Sequence, residues 1–249
     1  MEGRERADSQ EEEFKDESFL DKPAILDKYK AAAQITNAAL MKVIEMAKPG
    51  ADIYTVCMEG DKFMEEELRK VFNNKKSKKL ERGIAFPTCI SVNNIFGHYS
   101  PLKDESTALA EGDVAKIDLG CHLDGFVTQA AHTIIVSEDP ASKVSGRKAD
   151  VILAAHKCMM AAQRLFKEAG TNSSITETIA KVCEEYDVRP VEGVLSHKMK
   201  KHLIDGNDVI INKEVPGEQK VEEYEFVPGD VFGIDIFVSS GEGKPKEGE

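Results

Sequence analysis

The chain has no tryptophan among its 249 residues and only 6% aromatics, so any core must be filled by leucine, isoleucine, valine and the 11 phenylalanines. That core can still be large, because 41% of the residues are apolar, enough at this length for one domain or two fused halves. The five cysteines are odd in number, widely spaced and free of any Cys-x-x-Cys pair, which argues against a disulfide framework and for reduced, mostly buried thiols of the cytosol or nucleus. No apolar run approaches the ~20 residues that span a bilayer. The acidic first residues are unlike the basic start of a signal peptide, so neither membrane insertion nor secretion is expected. Positive charge is scarce too: 33 basic against 45 acidic residues leave a net charge of -12, which excludes a globally basic nucleic-acid binder.

The first 22 residues hold nine acidic and four basic side chains and few apolar ones. Such a segment cannot bury enough surface to offset its ordering entropy, so residues 1–22 are expected to form a disordered acidic tail, with a folded domain from 23 to 249. Within that domain the chain repeats itself. Gly112-Asp113-Val114-Ala115-Lys116-Ile117-Asp118 and Gly229-Asp230-Val231-Phe232-Gly233-Ile234-Asp235 share five of seven residues in register. Each copy reads as a Gly-Asp turn followed by a strand with one carboxylate, Asp118 or Asp235, between apolar neighbours that point the other way.

The flanking elements repeat in the same order. Lys28 to Met46 and Ile53 to Phe72 carry helical periods, followed by an apolar strand from Ile84 to Val92 and then His98. In the second half a helix from Asp150 to Ala169 buries Val151, Ala155, Cys158, Ala162, Leu165 and Phe166. A shorter helix opens on the capping-box pattern Ser174-Ile175-Thr176-Glu177, and a strand from Val188 to Val194 leads to His197. The expected architecture is α+β: a pseudo-twofold duplication with a curved, largely antiparallel sheet, two helix pairs on its outer face and the site on its inner face. A charge amid apolar strand residues must be paired, hydrogen-bonded or metal-bound. Two such aspartates with a histidine from each half make an oxygen and nitrogen donor set of the kind that holds divalent metals for hydrolysis. Gln129 is expected opposite Asp118 across a hairpin that continues from Gly125 to Val136.

Two basic clusters stand out from the acidic background: the loop Lys75, Lys76, Lys78 and Lys79 with Arg82 beside it, and Lys198, Lys200, Lys201 and His202. Each is either a solvated face or a set of phosphate contacts to RNA that would read backbone and shape, since no aromatic stacking motif or zinc-finger spacing accompanies them.

Several strings carry a family resemblance. Asn93-Asn94 before His98-Tyr99-Ser100-Pro101, Lys116 to Gly120, Gly193 to His197 and Val231 to Phe237 resemble the type 2 methionine aminopeptidases and their pita-bread fold. Arg82 to Thr88, Ser145 to Val151 and Ser239 to Lys244 look closer still to the ErbB-receptor-binding, proliferation-associated branch, non-peptidase relatives linked to ribosomes and RNA. The resemblance covers roughly residues 23 to 249. It implies that the family's metal ligands fall on Asp118, Gln129, His197 and Asp235, with a fifth beyond residue 249, and that His98 matches the pocket-lining histidine, here expected as a hydrogen-bonded inner-face side chain.

A neutral amide at Gln129 cannot supply an anionic bridge between two dications. Asp235 is one methylene shorter than the glutamate it replaces. No catalytic residue, metal or other cofactor is therefore expected. The resemblance implies a catalytically inactive binding protein of the cytoplasm and nucleus or nucleolus, associated with ribosomal particles and RNA and with growth regulation. Alternatives are a residual metal-dependent aminopeptidase and a module that binds a growth-factor receptor tail or transcription factors. The domain also reads as incomplete at its C-terminal end, leaving Phe232, Ile234, Ile236 and Val238 beside an open sheet edge through which copies would self-associate.

Overall fold

The computed structural model describes residue 20 and residues 22–73, 79–139, 141–217 and 221–246. Nearly all of the segment expected as an acidic tail therefore lies outside the described residues. The chain divides into two units, one holding the residues up to Ser142 together with Lys200–Leu203, the other Lys143–Met199 and the residues from Ile204 onward.

In the first unit, helix α1 (Pro23–Met46) starts on a proline, whose fixed φ suits the first turn, and buries Ile25, Tyr29, Ala32, Ile35, Thr36, Ala39 and Val43 on one stripe. Helix α2 (Ile53–Leu68) is capped by Asp52, whose carboxylate accepts the Thr55 N–H at 2.9 Å. It ends at Leu68, a turn before the expected Phe72, because the Arg82 guanidinium donates to the carbonyls of Leu68 (3.2 Å) and Val71 (2.9 Å) and so closes the helix from outside. Gly60 lets α2 lie close to its neighbours: a Cβ there would stand 2.8 Å from Val43 and 2.9 Å from Thr88.

Strands β1 (Arg82–Val92), β2 (Val114–Leu123) and β3 (Phe126–Ile135) form an antiparallel sheet in that order. Along β2, Ala115, Ile117, Leu119, Cys121 and Leu123 are wholly buried in the cluster that includes the α1 and α2 stripes, each large side chain contributing roughly 1.5–3 kcal/mol. Lys116, Asp118, Gly120 and His122 alternate onto the other face. The β2–β3 turn has only two residues, Asp124 (φ 56°) and Gly125 (φ 78°), the positive pair that a type I′ hairpin requires. A side chain at Gly125 would also collide with the His202 ring at 2.5 Å.

In the second unit, α3 (Arg147–Leu165) buries Ala154, Cys158 and Ala162 at a spacing of four. The buried alanine is thus Ala154 rather than the expected Ala155. Helix α4 (Asn172–Glu185) is capped by Thr171, whose hydroxyl accepts the Ser174 N–H, so the helix starts about a turn before the capping box suggested. Short strands follow: β4 (Arg189–Pro190), β5 (Leu195–Met199), β6 (Val209–Ile211), β7 (Val231–Gly233) and β8 (Val238–Ser239), paired antiparallel as β6-β5-β7 and β4-β8. The expected strand from Val188 to Val194 is reduced to Arg189–Pro190, and hydrogen bonding groups the described strands into three sheets rather than one. Phe166, Phe226 and Phe232 cluster in tilted and edge-on contacts with centroids 4.6–5.3 Å apart. Phe232, Ile236 and Val238 pack against this unit's core.

The duplication is visible in backbone detail. Gly112 (φ 83°) and Gly229 (φ 98°) are both left-handed. Just after each, the aspartate N–H donates to the carbonyl three residues back, Ala110 or Val227, at 3.1 Å. The aspartate carboxylate then accepts that residue's N–H, at 2.8 Å for Asp113 and 3.3 Å for Asp230. Two matching Gly-Asp turns launch β2 and β7.

Candidate functional site

In the first unit the face of β2 turned away from the core carries Lys116 and Asp118. The two-residue hairpin fixes the register: Asp118 lies opposite Ala131, and Gln129 lies opposite Gly120. Gln129 is therefore a diagonal, same-face neighbour of Asp118, not the direct partner expected from a strand starting at Gly125. On the other side Asp118 pairs with Cys89. Burial, with the Asp118 and Asp61 charges adding to it, pushes the Cys89 thiol up to about 12.

Lys116 Nζ donates to the Asn93 carbonyl at 3.1 Å, and burial pulls its ammonium down to about 8. Asn93 itself is held by Asp113 (2.9 Å) and Val114 (3.0 Å), which explains the Asn93-Asn94 string as the anchor of the turn after β1. His98 stands exposed in the loop beyond, with a left-handed backbone (φ 60°).

In the second unit His197 sits in the middle of β5, opposite Val209 on one side and Gly233 on the other. Its Nδ1 is buried with no hydrogen-bond partner among the described residues, and its Nε2 lies 3.9 Å from Asp205. The neighbouring Ser196 fixes Asp235: its hydroxyl accepts the Asp235 N–H (2.9 Å) and donates to the Asp235 carbonyl (3.2 Å). Each unit thus brings its own two expected residues close in the sheet, Asp118 with Gln129 and His197 with Asp235. Among the described residues no three of His, Cys, Asp and Glu gather as a metal-holding group.

Of the first basic cluster, Lys75, Lys76 and Lys78 lie outside the described residues, Lys79 is exposed, and Arg82 is engaged in closing α2. In the second cluster Lys198, Lys201 and His202 lie beside carboxylates. Lys198 pairs with Asp208 (3.1 Å) and Asp230 (2.9 Å). Burial opposes its charge, but those two carboxylates outweigh it and raise its pKa. Lys201 lies 3.9 Å from Asp124 and His202 lies 3.8 Å from Glu81. Sequence reading missed Phe126, which carries Lys28 and Lys201 over its ring at 5.2 and 6.0 Å, and no spacing rule could pair residues so far apart in the chain.

The model of metallopeptidase family M24 matches residues 27–245. Over 238 residues the chain is 48% identical to a protein of Arabidopsis thaliana named ERBB-3 binding protein 1, covering 96% of this chain and 59% of that one. It is 46% identical to proliferation-associated protein A of Dictyostelium discoideum, with 92% and 58% covered. The chain therefore spans about three fifths of the length of these curated relatives. Among solved structures, a thermophilic Arx1 superposes with a TM-score of 0.82 at 32% identity, over 91% of this chain and 66% of that one.

Proposed function

The chain belongs to metallopeptidase family M24 and has its pita-bread fold, and on that premise we propose that it is a pseudo-peptidase, a binding protein on an aminopeptidase scaffold that associates with ribosomal particles and RNA in growth regulation. One observation carries this reading: the face that should present a second aspartate presents Gln129, a neutral amide beside Asp118. Two dications in one site need anionic bridges to offset their mutual repulsion, and an amide has no charge to give. Asp235 is shorter than the glutamate that the family resemblance places there, and its backbone is clamped by Ser196, so it cannot shift freely to make up the reach. His197 keeps an unpartnered ring nitrogen among the described residues, but one imidazole does not hold a dinuclear centre. The residues present do not fit the family's metal pair.

The names of the Arabidopsis and Dictyostelium relatives support a binding and growth-linked role and favour a second reading, docking of an ErbB-3-type receptor segment. Cytoplasmic and nucleolar residence goes with the ribosomal reading. Contacts to ribosomal RNA would come from Lys75, Lys76, Lys78 and Lys79, because Lys198 in the second basic cluster already has two carboxylates and Arg82 its carbonyls. Changing those four lysines to glutamate is expected to weaken co-sedimentation with ribosomal particles at low salt while leaving the melting temperature unchanged. For every phosphate that is no longer neutralised, the slope of log affinity against log salt is expected to flatten by somewhat under one. A quadruple variant that co-sediments like the parent at every salt concentration would place the partner elsewhere.

A further inference from the structure

The second unit holds a pair of thiols that the proposed binding role does not use. Cys158 on α3 and Cys183 on α4 place their sulfurs 4.0 Å apart in the core of the helix pair, 0% and 1% exposed, among Ala154, Ala162, Ile175 and Ile179. We infer that Cys158 and Cys183 are a redox pair that a hydroperoxide converts into a disulfide joining α3 to α4. Rotation of the two side chains would have to close that gap to a disulfide length of about 2 Å.

The two sulfurs are not equivalent. Either sulfur can donate in the contact between them, and the Cys158 thiol also reaches the Ile179 carbonyl at 3.8 Å. With Cys158 as donor, that hydrogen bond and the Arg189 charge outweigh burial and pull the Cys183 pKa down. Cys158 is pushed up, as are Cys57, Cys89 and Cys121, all three chiefly by burial. Of the two, Cys183 is the sulfur on which the thiolate, the nucleophilic form, is favoured. Its thiolate attacks a peroxide oxygen, the O–O bond breaks, and the leaving hydroxide takes a proton to become water, which leaves a sulfenic acid on Cys183. Cys158 sulfur then attacks that sulfur, the S–O bond breaks, and a second water leaves as the S–S bond forms. In sum, two thiols give up two protons and two electrons, and hydrogen peroxide is reduced to two waters. The bond closes a loop between residues 25 apart, so it restricts the unfolded chain and is expected to raise the melting temperature.

The test is graded treatment of the full chain with hydrogen peroxide, followed by alkylation of the remaining thiols in denaturant and peptide mapping. The expected result is that two of the five thiols are protected first, that the Cys158 and Cys183 peptides are recovered as one cross-linked species lighter by two hydrogens, and that the melting temperature rises and returns on reduction. With Cys158→Ala the cross-link is expected to vanish and a sulfenic-acid trap to label Cys183. Should that variant fail to fold, mapping of the unaltered chain decides alone. Oxidation that consumes Cys57, Cys89 or Cys121 first, or that leaves both Cys158 and Cys183 alkylatable, overturns the inference.

Discussion

Lys116 shows how a single residue reports its surroundings. It shares a sheet face with Asp118, yet its amine donates to the Asn93 carbonyl, and burial holds it at about 8, below the ordinary lysine value of 10.5. Between those two values the unfolded chain binds the proton that the folded chain has lost, so stability rises with pH across that window. Chemical unfolding at pH 7.5 and pH 10 in the parent and in Lys116→Met is expected to show the parent gaining stability relative to the variant at the higher pH. An unchanged difference between the two proteins would mean that Lys116 stays solvated. Sequence placed Lys116 correctly within its strand, because alternation fixes the face. Its lowered pKa was not legible, since burial depends on what crosses over the face.

At the scale of elements, errors in reading the sequence fall where a distant or ambiguous group decides. The apolar period of α2 continues through Phe72, but Arg82, in the next strand, takes up the carbonyls that end the helix. Asp124-Gly125 is a strong local hairpin signal, and treating Gly125 as the start of a strand instead displaced Gln129 by two positions against Asp118. For α4, Thr171 and Ser174 are both plausible caps within one turn, and only the structure shows which accepts the free N–H. Thr171→Ala is therefore expected to cost about 1 kcal/mol. Ser174→Ala, which removes a hydroxyl bonded back to the Thr171 carbonyl, should cost less, as denaturant midpoints would measure. Equal losses would restore the capping box as the start of the helix.

Across the whole molecule, the duplication, the fold class and the place of Asp118 in its strand were legible because they rest on local repetition: two Gly-Asp turns with the same hydrogen bonds and left-handed glycines. The neutralisation of Lys198 by Asp208 and Asp230 was not, because it depends on chain segments that meet only in the fold. The proposed loss of catalysis rests on the donor set, and the most direct test is metal content combined with turnover. The full chain would be loaded with cobalt, manganese or zinc, desalted, assayed for bound metal and incubated with a Met-initiated peptide. The expected result is metal well below one equivalent and no release of methionine. About two equivalents of tightly held metal, with methionine release that a chelator abolishes, would contradict it.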